Sequence, residues 1–115
     1  MKNFPEHYEE LTSWMQKLSL DIPEVMQGFQ SLHSASIKSN ALDSKTKELI
    51  ALGIAITVRC DGCISFHVHD AMKAGASKEE IAETVSVSIL MGGGPSLVYG
   101  IEAMQALSQF EEENL

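Results

Sequence analysis

Residues 45–67 read Lys45-Thr46-Lys47-Glu48-Leu49-Ile50-Ala51-Leu52-Gly53-Ile54-Ala55-Ile56-Thr57-Val58-Arg59-Cys60-Asp61-Gly62-Cys63-Ile64-Ser65-Phe66-His67. The first half shows no alternation of apolar and polar residues, and from Leu49 to Val58 apolar side chains cover nearly the whole helical circumference. Such a segment reads as a buried central helix, which Asp43 or Ser44 can cap, and it makes Glu48 a carboxylate on a core helix. The second half opens another helix near Asp61, running to Ala74 and closed by Gly75 in the position a C-cap glycine prefers.

The flanking sequence repeats the helical signal. Between Glu6 and Leu18, Leu11, Trp14, Met15 and Leu18 form one stripe, and Pro23 suits the first turn of a helix over residues 22–37. Downstream, Ser77-Lys78-Glu79-Glu80 is a capping box ahead of an apolar stripe of Ile81, Val85, Ile89 and Leu90. Gly92 to Gly94 break that helix, and Pro95 starts a last one through Tyr99, Met104 and Leu107 to about Gln109. Strand signals are nearly absent. The expected fold is all-α: a single domain over residues 1–115, a compact bundle of about six helices, with its motif-bearing core at residues 43–108. Met15, Met26, Met72, Met91 and Met104 read as core filler, Tyr99 as packing, His7 and His33 as surface residues, and Glu111 to Glu113 as a fraying end.

Sixteen acidic residues against eight basic ones leave 115 residues with a formal net charge of −8 and a pI near 4.8. That balance argues against nucleic acid and anionic membrane surfaces as partners, because both repel the average surface. The longest uncharged stretch, Thr84 to Ile101, carries three serines, four glycines and a proline, which is incompatible with a bilayer-spanning helix. Met1 to Glu6 shows no secretory signal, so the expected location is cytoplasmic. A domain this small covers only roughly two-thirds of the surface of its extended chain. The apolar third and fifth helices therefore predict a homo-oligomer. Half of the bases, Lys45, Lys47, Arg59 and Lys73, fall in the segment around the cysteines, which predicts a locally positive site within an acidic surface.

Two cysteines three residues apart close almost no loop, so their use is chemical rather than structural. At i and i+3 across a helix start, their Cα atoms fall about 5–6 Å apart, a spacing at which dithiol and disulfide interconvert with modest movement. An ordinary thiol is only a few per cent ionised at pH 7, and a helix N-terminus raises that fraction. Cys63 is placed for that effect. Cys60, at the end of the preceding helix, is expected to face carbonyl groups and to suit a resolving role. His67 lies one turn past Cys63 on the same face, within reach for proton exchange directly or through one water. Glu48 is roughly 18 Å from Cys60 along a continuous helix, yet a helix folding back antiparallel brings His67 toward it. A carboxylate there can hold the imidazole tautomer.

The Glu48…Cys60-x-x-Cys63…His67 spacing, the Ala74-Gly75-Ala76-Ser77 break and the Met91-Gly92-Gly93-Gly94-Pro95 turn together resemble the alkylhydroperoxidase D-like group of the carboxymuconolactone decarboxylase family. The resemblance is strongest from Glu48 to Gly100. It implies an all-helical subunit of a homotrimer or homohexamer acting as a thiol-dependent peroxidase or disulfide reductase on small hydroperoxides. It further implies Cys63 as the peroxidatic thiol, Cys60 as the resolving one, a proton relay through His67 and Glu48, and resetting by a dithiol such as a lipoyl group or a thioredoxin-like donor, with no cofactor. One position departs: the best-described peroxidase members carry a histidine where this chain has Gly62, and His69, two residues past His67, points to a different helix face.

Two other readings stand beside this one. A non-enzymatic oligomeric module would use the cysteine pair to sense redox state or to hold zinc through Cys60, Cys63 and His67, with His69 or Asp70 as a fourth ligand. Proton-transfer chemistry of the decarboxylase type needs only His67 and Glu48.

Overall fold

Local capping chemistry sets most of the helix boundaries. In the computed structural model, which describes residues 2–113, the described residues form six α-helices: α1 (Phe4–Asp21), α2 (Pro23–Ile37), α3 (Ser44–Thr57), α4 (Asp61–Lys73), α5 (Lys78–Gly92) and α6 (Gly94–Glu113). The Asn3 side chain accepts the Glu6 N–H at 3.0 Å to start α1, and Asp43, of the two expected candidates, accepts the Thr46 N–H at 2.8 Å to start α3. The capping box at α5 is complete, the Glu80 N–H donating to Ser77 Oγ at 3.1 Å and the Ser77 N–H to Glu80 Oε1 at 2.8 Å. Both α3 and α4 stop in Schellman motifs. Gly75 (φ 95°) takes the left-handed position after α4, where its N–H donates to the Met72 carbonyl and that of Ala76 to the Ala71 carbonyl.

The core lies between α3, α4, α5 and α6, around Leu52, Ile56, Ile64, Val68, Ile81, Ala103 and Leu107. Gly100 lets α6 approach α5 closely, since a Cβ there would stand 2.6 Å from Val85 Cγ1. α1 lies across α4 and α6, anchored by buried Phe4 and Pro5, while α2 packs on α1, touches α3 lightly and buries no residue. Lys2 ties the start of the chain down by ion pairs to Asp61 and Glu102, each 2.7 Å.

Four expectations need correction. The stripe on α1 does not enter the core: Trp14 is 65% exposed, Leu18 is also exposed, and Leu11 and Met15 are half-buried along a groove. α3 is buried on one side only, through Glu48, Leu52, Ala55 and Ile56; Ile50, Ile54 and Val58 face outward, because the neighbouring helices do not encircle it. On α5, Ile81 and Val85 are buried but Leu90 is 79% exposed, and Met91 is equally outside the core. Finally, α6 stays helical through Glu113 rather than ending near Gln109.

Candidate functional site

The turn between α3 and α4 fixes the two cysteines. Arg59 adopts φ 60°, the left-handed position that ends α3: its N–H donates to the Ile56 carbonyl at 3.2 Å, and the Cys60 N–H to the Ala55 carbonyl at 3.1 Å. The same Cys60 is the N-cap of α4, its Sγ accepting the Cys63 N–H at 3.2 Å. One residue thus closes one helix and opens the next. The expectation that Cys60 faces carbonyl groups is corrected here. Because the left-handed Arg59 turns the chain out of α3, the Cys60 sulfur meets the N–H end of α4, so both sulfurs sit at a helix N-terminus. Cys60 and Cys63 form a disulfide, with Cα atoms 5.2 Å apart, inside the expected range. Cys63 packs against the core, and both residues are partly exposed.

α4 folds back along α3 and carries His67 to Glu48, where Nδ1 and Oε2 are 2.8 Å apart. Glu48 is 3% exposed and His67 half-buried. With the carboxylate ionised, Nδ1–H donates to it, and Nε2 is left with the lone pair that can accept a proton. His67, Cys60 and Cys63 share a groove of about 440 Å³, whose largely apolar walls come from α1 through Tyr8, Leu11 and Met15, from α2 through Phe29 and His33, and from α4 through Phe66. The four residues singled out in the sequence, Glu48, Cys60, Cys63 and His67, are therefore brought to one place.

His69, expected on a different helix face from His67, stacks on Tyr8 at 4.2 Å between ring centroids and pairs with Asp70 at 2.9 Å. Burial, and then the Asp70 charge, push the Tyr8 phenol up. His33 is exposed, as expected of a surface residue, and it also lines the groove beside the cysteines; no spacing within α2 signals that position, since its neighbours there come from α3 and α4. Of the four bases expected to make the site positive, two are engaged elsewhere: Lys45 pairs with Glu80 at 2.9 Å and Lys47 donates to the Lys38 carbonyl, so both lysines serve helix packing. The groove itself is lined by Asp70, and Glu48 reaches it through His67.

At Gly62 a Cβ would meet the tip of the Leu11 side chain, Cδ1 at 2.9 Å, with His7 Nε2 at 3.9 Å, so a side chain at this position needs only that Leu11 move aside.

A family model for the carboxymuconolactone decarboxylase family matches residues 23–106, which span α2 to most of α6. Among solved structures, a carboxymuconolactone decarboxylase family protein from Legionella pneumophila is 44% identical and superposes with a TM-score of 0.90 over 93% of this chain and 96% of its own. A family protein from Thermotoga maritima is 34% identical, with a TM-score of 0.72 over 76% of this chain and 91% of its own. An uncharacterized protein of Haemophilus influenzae is 38% identical over 106 residues, covering 92% of this chain and 94% of its own. On sequence, fold and the extent of the match, the chain belongs to the carboxymuconolactone decarboxylase family.

Proposed function

We propose that the protein is a thiol-dependent oxidoreductase that reduces small hydroperoxides through Cys63 and Cys60, with His67 and Glu48 relaying the proton. The observation that carries this reading is the joining of a bridged cysteine pair, a buried carboxylate–imidazole pair and a largely apolar groove in one site. The Thermotoga maritima relative is described as having a possible involvement in antioxidative response, which agrees in kind.

In the reduced protein the Cys63 thiol gives its proton to His67 Nε2, and the helix N-terminus holds the thiolate. The thiolate attacks the terminal oxygen of ROOH; the O–O bond breaks, an S–O bond forms, and the departing alkoxide takes the proton from His67 to leave as ROH. Glu48 stabilises the imidazolium between these two transfers. The Cys60 thiol then displaces hydroxide from the Cys63 sulfenic acid, releasing water and forming the disulfide. An external dithiol reduces that bridge by exchange and is itself oxidised.

In the bridged state the Cys60 N–H donates to the Ala55 carbonyl and its Sγ accepts the Cys63 N–H.

The test is hydroperoxide turnover with lipoyl and thioredoxin-like donors for wild type, Cys63→Ser and Cys60→Ser. Loss of turnover in Cys63→Ser, and a single oxidation without cycling in Cys60→Ser, are expected. Peroxide consumption unchanged in Cys63→Ser would refute the proposal.

A further inference from the structure

Beside the thiols, three helices converge on a second constellation. A ring nitrogen of His33 from α2, a carboxylate oxygen of Glu48 from α3 and one of Asp70 from α4 all lie within 4.8 Å of one another. Two of these groups are carboxylates, one of them almost wholly buried. Among the described residues, the ion-pair partners of Glu48 and Asp70 are imidazoles only, His67 and His69, with no lysine or arginine on either. Two carboxylates this close in a partly dry site repel one another unless a positive charge joins them.

We propose that His33, Glu48 and Asp70 form a binding site for a first-row divalent cation of the zinc class at the mouth of the thiol groove. One imidazole and two carboxylates are a borderline-to-hard donor set of the kind zinc accepts, with bonds of about 2.0–2.2 Å and a fourth position open to water. Closing the ligands from their present spacing needs side-chain movement and a small adjustment of α2, the helix that buries nothing. Each carboxylate also already receives a histidine: His67 on Glu48 and His69 on Asp70, both through Nδ1. Such hydrogen bonds fix a carboxylate's orientation around a metal. The site owes nothing to Cys60 or Cys63, and so differs from a cysteine-held zinc. A cation bound there sits on the carboxylate that orients His67, which couples its arrival to the thiol chemistry.

The test uses the oxidised protein, whose cysteines are tied up in the bridge. Zinc titrated by calorimetry is expected to bind one equivalent per chain, and cobalt(II) to give visible bands without a sulfur charge-transfer band. His33→Gln and Asp70→Asn should each weaken binding by at least about tenfold. The first lies on a helix that buries no residue and the second keeps the shape of the side chain, so circular dichroism should report both as folded. No binding to oxidised wild type, or affinity unchanged in both variants, overturns the proposal. So does cobalt binding that appears only after reduction and carries sulfur charge transfer. None of these readouts involves turnover, so the cation site and the thiol reaction stand or fall separately.

Discussion

Replacing Glu48 by glutamine isolates the charge of the relay from its shape. The amide oxygen introduced by Glu48→Gln can still accept His67 Nδ1–H at the distance Glu48 Oε2 now holds, 2.8 Å, so the tautomer survives. What disappears is the negative charge that favours the imidazolium. A hydrogen bond to a charged partner contributes about 1.5–3 kcal/mol against about 0.5–1.5 kcal/mol for a neutral one, so with the bond retained the variant loses the difference, about 1–1.5 kcal/mol, in a pair protected from water because Glu48 is only 3% exposed. At about 1.4 kcal/mol per decade, the rate of peroxide-driven disulfide formation should fall by roughly 5- to 12-fold. The assay is a single turnover of pre-reduced protein, quenched and scored for free thiols, which separates oxidation from resetting. Thermal melting of the same samples checks that the fold is intact. Since Glu48 acts through His67, the double variant with His67→Gln should be scarcely slower than His67→Gln alone. A Glu48→Gln rate within about twofold of wild type, or effects that simply multiply in the double variant, would refute the relay.

Gly100→Ala forces a methyl against the stiff Val85 side chain, at 2.6 Å from Cγ1, and should cost about 1–3 kcal/mol, with Val85→Ala restoring part of the loss in thermal melts. Arg59→Gly removes a side chain from the left-handed turn at φ 60° and should raise stability by about 0.5–1 kcal/mol without altering the spacing of the cysteines, as measured by denaturant unfolding. Hydrogen bonding from Thr46 lowers the Asp43 carboxyl below its ordinary 3.8, and the Lys45 ammonium lowers Glu80 below its ordinary 4.5. Folded-state values below the unfolded ones mean that both groups stabilise fully above about pH 4.5 and lose that contribution as pH falls through their folded values. Glu80→Gln should therefore melt below wild type at about pH 6 and together with it near pH 2. Ile50 and Ile54 on α3, with Val87, Leu90 and Met91 on α5, expose large apolar side chains on or beside the walls of a cavity of about 510 Å³. We expect a homo-oligomer in sedimentation, shifted toward monomer by Ile54→Lys, and a monodisperse wild-type monomer would refute this.

Much of the fold is legible in the sequence because local chemistry marks helix ends: Ser77 with Glu80, Pro23, Gly75 and Pro95 all act within one turn of their own position. What periodicity does not report is how many sides of a helix find neighbours. Leu52 and Ile54 are equally apolar, yet one is fully buried and the other 56% exposed. The Glu48–His67 contact is accessible to sequence reasoning because a short turn forces α4 back along α3. The placement of His33 is not, since it depends on how α2 settles against α3 and α4, a tertiary contact with no periodic trace. The surroundings of the Cys60 sulfur escape for a narrower reason: a non-glycine residue at φ 60°, Arg59, ends the preceding helix one step earlier than its composition suggests.

The division of labour along the chain has an evolutionary side. The family match begins at Pro23, so α1 lies before it, and yet α1 supplies Tyr8, Leu11 and Met15 to the groove beside the thiols while committing only Phe4 and Pro5 to the interior. Leu11 and Met15 can therefore change in size or polarity at little cost to folding, whereas Ile64 or Val68 cannot. Selection for a new substrate has a wall it can re-line while the chemistry behind it stays untouched.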